Sequence, residues 1–164
     1  MGGGMGKRAA RYGLLTALAM VLSWVESMVP LSAAAPGMKL GLANLVVVYA
    51  LYRMTARDAA AVSLARVALV SATFGSAYSF AYSLAGAVLS LAVMTLLKRT
   101  GKFSIVGVSA AGGVCHNIGQ ILVAMAVLGT ARLAWYLPGL LAAGIAAGAA
   151  TGVAGGIVVS RVKV

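Results

Sequence analysis

Six apolar runs, separated by short basic or glycine-rich steps, organise the chain, the second and third of them short for a bilayer. The first extends from about Ala10 to Val29 behind Lys7, Arg8 and Arg11, the second from about Met38 to Arg53, and the third from about Ala59 to Phe74. A glycine, serine and aromatic stretch, Gly75 to Ser83, reads as a loop. The fourth run then continues to about Leu97, the fifth from about Ser104 to Leu128 and the sixth from about Trp135 to Ser160. A hydrocarbon core about 30 Å thick takes about 20 apolar residues per helix, and a helix satisfies its own backbone there. The pattern therefore predicts an all-α integral membrane protein, a six-transmembrane-helix bundle occupying residues 7–164 as one domain. Residues 1–6, with Met1-Gly2-Gly3-Gly4 ahead of Met5, read as a flexible leader or expression scar. Ala33-Ala34-Ala35 imitates a signal-peptide cleavage site, but the first run is longer than a signal core and carries Trp24 and Glu26 near its far end.

Composition agrees with the pattern: the 164 residues are 62% hydrophobic and 9% charged, with a mean hydropathy of +1.02. Charge adds an orientation. The net charge of +11 comes from 13 Lys+Arg against 2 Asp+Glu. In a soluble chain that imbalance would suggest nucleic acid; here cytoplasmic retention of basic residues accounts for it, and no nucleic-acid partner is implied. With both termini cytoplasmic, Lys7, Arg8, Arg11, Arg53, Arg57, Lys98, Arg99, Lys102, Arg161 and Lys163 share one side. Lys39 and Arg132 fall on the other. Pro36–Lys39, Gly75–Tyr82 and Gly129–Tyr136 are then placed outside, with Trp24, Phe74, Tyr78, Phe80, Trp135 and Tyr136 as an interfacial aromatic belt.

Small residues supply a packing code. Gly144, Gly148, Gly152 and Gly156 recur every four positions in the sixth run, a stripe that lets another backbone approach closely. Ala9, Gly13 and Ala17 repeat the spacing in the first run. Packing within the bundle and docking of a partner subunit are both open for these stripes.

Candidate chemistry lies in the few polar groups kept within apolar runs, since an intramembrane ionisable residue marks a functional site by default. Arg66 sits near the middle of the third run, with Glu26 its most available counter-ion; the two form either a bridge between helices or part of a substrate site. Lys39 lies in Pro36-Gly37-Met38-Lys39-Leu40-Gly41-Leu42-Ala43-Asn44, a turn that enters the second run and carries Lys39 and Asn44 to its lip. Lys39 has snorkelling to the interface as its alternative role. In Cys115-His116-Asn117-Ile118-Gly119-Gln120, His116 and Gln120 share a helix face with Asn117 about a step round, a stripe suited to bonding a ligand or to tying helices.

No HExxH or GxSxG motif, phosphate loop or paired carboxylates are present, so the chain is not expected to be an enzyme or to hydrolyse ATP itself. With Glu26 and Asp58 as its acids it has no carboxylate-held magnesium site, and no cofactor is expected. His116 and Cys115 are adjacent and point apart, so no metal site is expected either. Cys115 alone makes no disulfide.

Pro36 to Asn44, Tyr82-Ser83-Leu84-Ala85-Gly86 with Leu89-Ser90, Gly107-Val108-Ser109 with His116-Asn117-Ile118-Gly119-Gln120, and Tyr136-Leu137-Pro138 together resemble the Gx transporter family, also labelled heptaprenyl diphosphate synthase component I. That family is similar to the S-components of energy-coupling factor transporters. The resemblance implies a multi-pass subunit of a prokaryotic cytoplasmic membrane, surrounded by lipid, that binds a micronutrient or precursor from outside. A separate T-component and cytoplasmic ATPase subunits would power it, with Ala9, Gly13 and Ala17 at the T-component contact. The expected ligand contacts are Glu26, Lys39, Asn44, Arg66, Tyr82, His116, Asn117 and Gln120. The excess of cationic groups points to a carboxylate or phosphate on the ligand, and Tyr82 to a stacked ring. The alternative is a non-transporting scaffold for isoprenoid, quinone or flavin-linked electron-transfer enzymes.

Overall fold

The computed structural model describes residues 3–28 and 41–162. These form six α-helices: α1 Gly3–Ser27, α2 Leu42–Arg53, α3 Ala56–Phe74, α4 Ala77–Thr100, α5 Ile105–Leu128 and α6 Leu137–Arg161, with a 3-10 turn, Ala131–Tyr136, leading into α6. Three stretches are long and apolar enough to cross a membrane: α4, α5, and Ala131–Arg161, which joins the 3-10 turn to α6. The segment Pro36 to Leu40, including Lys39, lies outside the described residues.

Caps explain five of the boundaries. Thr55 accepts from the Asp58 amide while the Asp58 carboxylate accepts from the Thr55 amide, a reciprocal capping box that starts α3. Ser76 and Ser104 accept from the third residue ahead of them and start α4 and α5. Gly101 and Gly129 close those two helices in the left-handed conformation, at φ 68° and 61°. The Ser76 cap overturns one expectation: Gly75 to Ser83 is no loop, because α4 begins at Ala77 and carries Tyr78 to Ser83 on its first two turns.

The helices close a ring in which α1 meets α3, α3 meets α4, α4 meets α5, α5 meets α6 and α6 meets α2, while α2 also touches α1 and α3. The short α2 is the most enclosed: Val46, Val48, Ala50 and Leu51 are buried, and Val48, Ala50 and Leu51 join Ala59, Met94 and Val108 in one core cluster. Large apolar side chains such as Leu14, Val21, Leu96, Ile145 and Ile157 face outward instead.

Glycines set the contacts among α4, α5 and α6. A methyl on Gly148 would stand 2.6 Å from the carbonyl oxygen of Ser109, one on Gly152 2.7 Å from Cα of Val106, and one on Gly119 2.7 Å from the carbonyl oxygen of Ala85. Gly113 and Gly144 face each other across α5 and α6. Backbones this close gain van der Waals contact that larger side chains would prevent. The four-residue series does not hold one face to its end. Each step of four turns the helix about 40° beyond a full turn, so Gly156 meets nothing within 4 Å, and Gly155 instead meets Val48 of α2. Ala9, Gly13 and Ala17 are exposed, and a methyl on Gly13 would meet nothing.

The basic residues at one end of the bundle have bonding partners as well as charge. Lys98 of α4 donates to the carbonyl of Leu51 and lies 5.1 Å from the centroid of the Tyr52 ring. Arg53 donates to the carbonyl of Val159. Both carbonyls belong to last turns, whose oxygens lack partners within their own helix. Beside them Asp58 accepts from Tyr12 and, at 3.3 Å, from Arg8, joining α1 to the first turn of α3.

Candidate functional site

A small polar cavity of about 50 Å³ lies among all six helices, with Ser83 as the contribution of α4. Its charged lining is Glu26 and Arg66; Asn44, His116, Asn117 and Thr151 add polar groups. The size admits a few water molecules or one small oxyanion group, well short of a whole organic ligand.

Gly41 shapes one wall. It stands at φ 75° before the first residue of α2, where a glycine carries no steric penalty. That turn aims its amide at Glu26, whose Oε1 accepts at 2.6 Å. Its carbonyl accepts from the Thr151 hydroxyl of α6 at 3.4 Å. One residue thus gathers α1, α2 and α6. The free amides of a helix start, with the aligned peptide dipoles behind them, favour negative charge nearby, and Glu26 supplies it.

Arg66 faces this cavity from α3 but forms no ion pair with Glu26 among the described residues. Its buried Nε has no hydrogen-bond partner among them either. The direct helix-to-helix bridge, one of the two expectations for this pair, is therefore not what is built. Glu26 and Arg66 thus share a cavity, Glu26 bonded to the Gly41 amide and the Arg66 Nε left without a hydrogen-bond partner among the described residues.

Asn117 has a structural bond: its Nδ2 donates to the Leu140 carbonyl at 2.6 Å, in the first turn of α6. Its amide therefore ties α5 to α6 while still lining the cavity. His116, one position earlier, packs on Gly86, where a methyl would approach the imidazole Nδ1 and Cε1 at 3.0 Å. Gln120 lies elsewhere.

Gln120 and Tyr82 line a second cavity of about 520 Å³ between α4, α5, the 3-10 turn and the start of α6. Tyr78 and Tyr136 stand in its wall, along with apolar Ile121, Leu128 and Leu133. Ser83 lines both cavities, and Leu140, the acceptor of Asn117, lines the larger one. Of the sequence-selected ligand residues, Glu26, Asn44, Arg66, His116 and Asn117 meet at the polar cavity, Tyr82 and Gln120 at the tyrosine-lined one, and Lys39 is outside the described residues.

Sequence reasoning passed over Gly41, Ser83, Ser109 and Thr151 as lining groups. Thr151 carried a signal, as a lone hydroxyl in the Ala- and Gly-rich run of α6. Tyr78 and Tyr136, assigned to an interfacial belt, also face a cavity, whereas Trp135 is 87% exposed. Among the described residues no cluster of His, Cys, Asp or Glu is placed to hold a metal ion.

A family model described as heptaprenyl diphosphate synthase component I matches residues 15–158, from the middle of α1 almost to the end of α6. No curated protein and no solved structure matches the chain.

Proposed function

The chain belongs to the heptaprenyl diphosphate synthase component I family, and from that premise we propose that it is a substrate-binding membrane subunit that takes up a small micronutrient or precursor. The observation that carries the reading is the polar cavity, in which Arg66, with a buried Nε unpartnered among the described residues, shares the lining with the Glu26 carboxyl group amid apolar helices. An arginine so placed is costly unless it has work to do.

In this reading all six helices span a prokaryotic cytoplasmic membrane and both termini face the cytoplasm. The clustering of Arg53, Arg57, Lys98 and Arg161 at helix ends supports the orientation. Binding is then the chain's own task, and a T-component with ATPase subunits supplies the energy, as in energy-coupling factor transporters. The exposed Ala9, Gly13 and Ala17 on α1 offer those subunits a close backbone approach.

The chain is not a catalyst in this reading. Its acids are Glu26 and Asp58, and Asp58 bonds Tyr12, about 21 Å of helix from Glu26. Two carboxylates so far apart do not hold one magnesium-diphosphate group.

The family description favours a second reading, an accessory scaffold for isoprenoid, quinone or flavin-linked enzymes. Native mass spectrometry separates the two. Purified with coexpressed energy-coupling subunits, the chain is expected to hold the ATPase module and a retained small molecule. Association with a prenyl synthase and with no ATPase module would favour the scaffold.

A further inference from the structure

The two cavities, taken together, define what kind of molecule fits. We propose that the ligand is a bipartite organic anion: a carboxylate or phosphate-type group beside Arg66 in the polar cavity, joined to an apolar or aromatic body in the tyrosine-lined cavity. This deepens the substrate-binding reading and rests on it.

Donor chemistry defines the head group. The guanidinium of Arg66 is a fork of N–H donors with no acceptor of its own, and its buried Nε has no partner among the described residues. Glu26, the nearby carboxylate, is engaged by the Gly41 amide at 2.6 Å and makes no ion pair with Arg66 among those residues. An oxyanion that offers two acceptor oxygens, a carboxylate or a phosphate, is the partner that such a fork fits best, through paired charge-assisted hydrogen bonds.

Volume sets the rest. About 50 Å³ holds an oxyanion group and no ring system, so the body of any organic ligand must lie elsewhere. The adjoining cavity of about 520 Å³ is within the range of small-molecule sites. Its wall is mostly apolar, with Tyr78, Tyr82 and Tyr136 as ring surfaces and Gln120 as an amide to orient the body.

Connection is local. Ser83 lines both spaces, and between them lies the Asn117–Leu140 bond, whose donor lines one cavity and whose acceptor residue lines the other. A ligand spanning the two would pass Ser83, with its head on the α3 side and its body against α4 and α5.

The test uses the isolated full chain in neutral detergent with three probes: 2-naphthoate, the uncharged 2-naphthamide, and acetate. Thermal-shift and equilibrium-dialysis titrations read the binding. The expected result is saturable binding of 2-naphthoate, weaker by on the order of tenfold or more for 2-naphthamide and for acetate, since each lacks one half of the match. Arg66→Gln should bring 2-naphthoate down to the level of 2-naphthamide, and Arg66→Lys should recover part of the difference. Tyr82→Ala should weaken both naphthyl probes alike; if Arg66→Gln does not fold, this variant and the probe series still decide. Equal binding of acid and amide, or binding of none of the three, overturns the proposal. Competition by phosphatidylglycerol in nanodiscs would identify a lipid as the source of the anion, and its absence a soluble metabolite; both agree with the proposed chemistry. Because no partner subunit is present, failure here leaves the energy-coupling assignment standing, and failure of subunit association leaves this result standing.

Discussion

The Gly41 amide and the Glu26 carboxylate meet at 2.6 Å, so the entry to α2 is held by the far end of α1. The glycine is in the left-handed region at φ 75°. Glu26→Ala should lower stability by about 1.5–3 kcal/mol, the range for a hydrogen bond to a charged group, while Glu26→Gln, which keeps an acceptor, should lose less. Gly41→Ala should cost about 1–2 kcal/mol through backbone strain. Chemical unfolding in detergent checks all three; equal stability of Glu26→Ala and the parent would mean that this contact holds nothing.

The glycine contacts divide the stripe of α6 into tight and open positions. Gly148→Ala places a methyl 2.6 Å from the Ser109 carbonyl oxygen and should destabilise by about 1–3 kcal/mol. Gly156→Ala meets nothing within 4 Å and should change stability by no more than about 0.5 kcal/mol. Melting temperatures of the two variants, measured side by side, would contradict this packing if they moved together.

Helix positions were readable because each apolar run is bounded by a cap or a basic step, and the Thr55-to-Asp58 box is itself a sequence signature. Gly75 to Ser83 reads as a loop because glycine, serine and tyrosine lower its hydropathy, although Ser76 is a cap and Tyr78 to Ser83 are helical. Charge drew attention to Arg66 and Glu26 at once. What spacing did not reveal is the division of the polar stripe. His116 and Gln120 share a helix face, but about 6 Å of rise separates them, enough to put them in different cavities. Gly41 stands within the Pro36-to-Asn44 turn, but it acts through its backbone amide and carbonyl, which residue type does not announce.

Acid should loosen the join between α1 and α3. The Tyr12 hydroxyl, followed by the Thr55 amide and hydroxyl and by Arg8, holds the Asp58 carboxyl well below its ordinary value of 3.8. A carboxylate depressed in the folded state stabilises fully above its unfolded value, and loses that contribution as pH falls through the folded one. The parent should therefore melt at a near-constant temperature down to about pH 4 and fall below it, whereas Asp58→Asn should start lower and fall less. Glu26→Gln serves as the control for the other acid. Parallel pH profiles of the parent and Asp58→Asn would exclude Asp58 as the titrating group.

Topology is open to direct measurement. In a Cys115→Ala background, single cysteines placed by Ala134→Cys and Lys102→Cys occupy exposed sites on opposite sides of α5 in the chain. The proposed orientation expects an impermeant maleimide, added to intact cells, to label the first and spare the second. The reverse pattern would invert the bundle.

Because Glu26 and Arg66 carry opposite formal charges in one cavity, an empty bundle that reorients moves no net charge with that pair, and the membrane voltage does no work on it. A bound monoanion changes that balance by one elementary charge. Displacing one charge across the full potential corresponds to about 2.3 kcal/mol per 100 mV, so in the proposed uptake reading a bound monoanion would add that work to the site, where the pair alone contributes none.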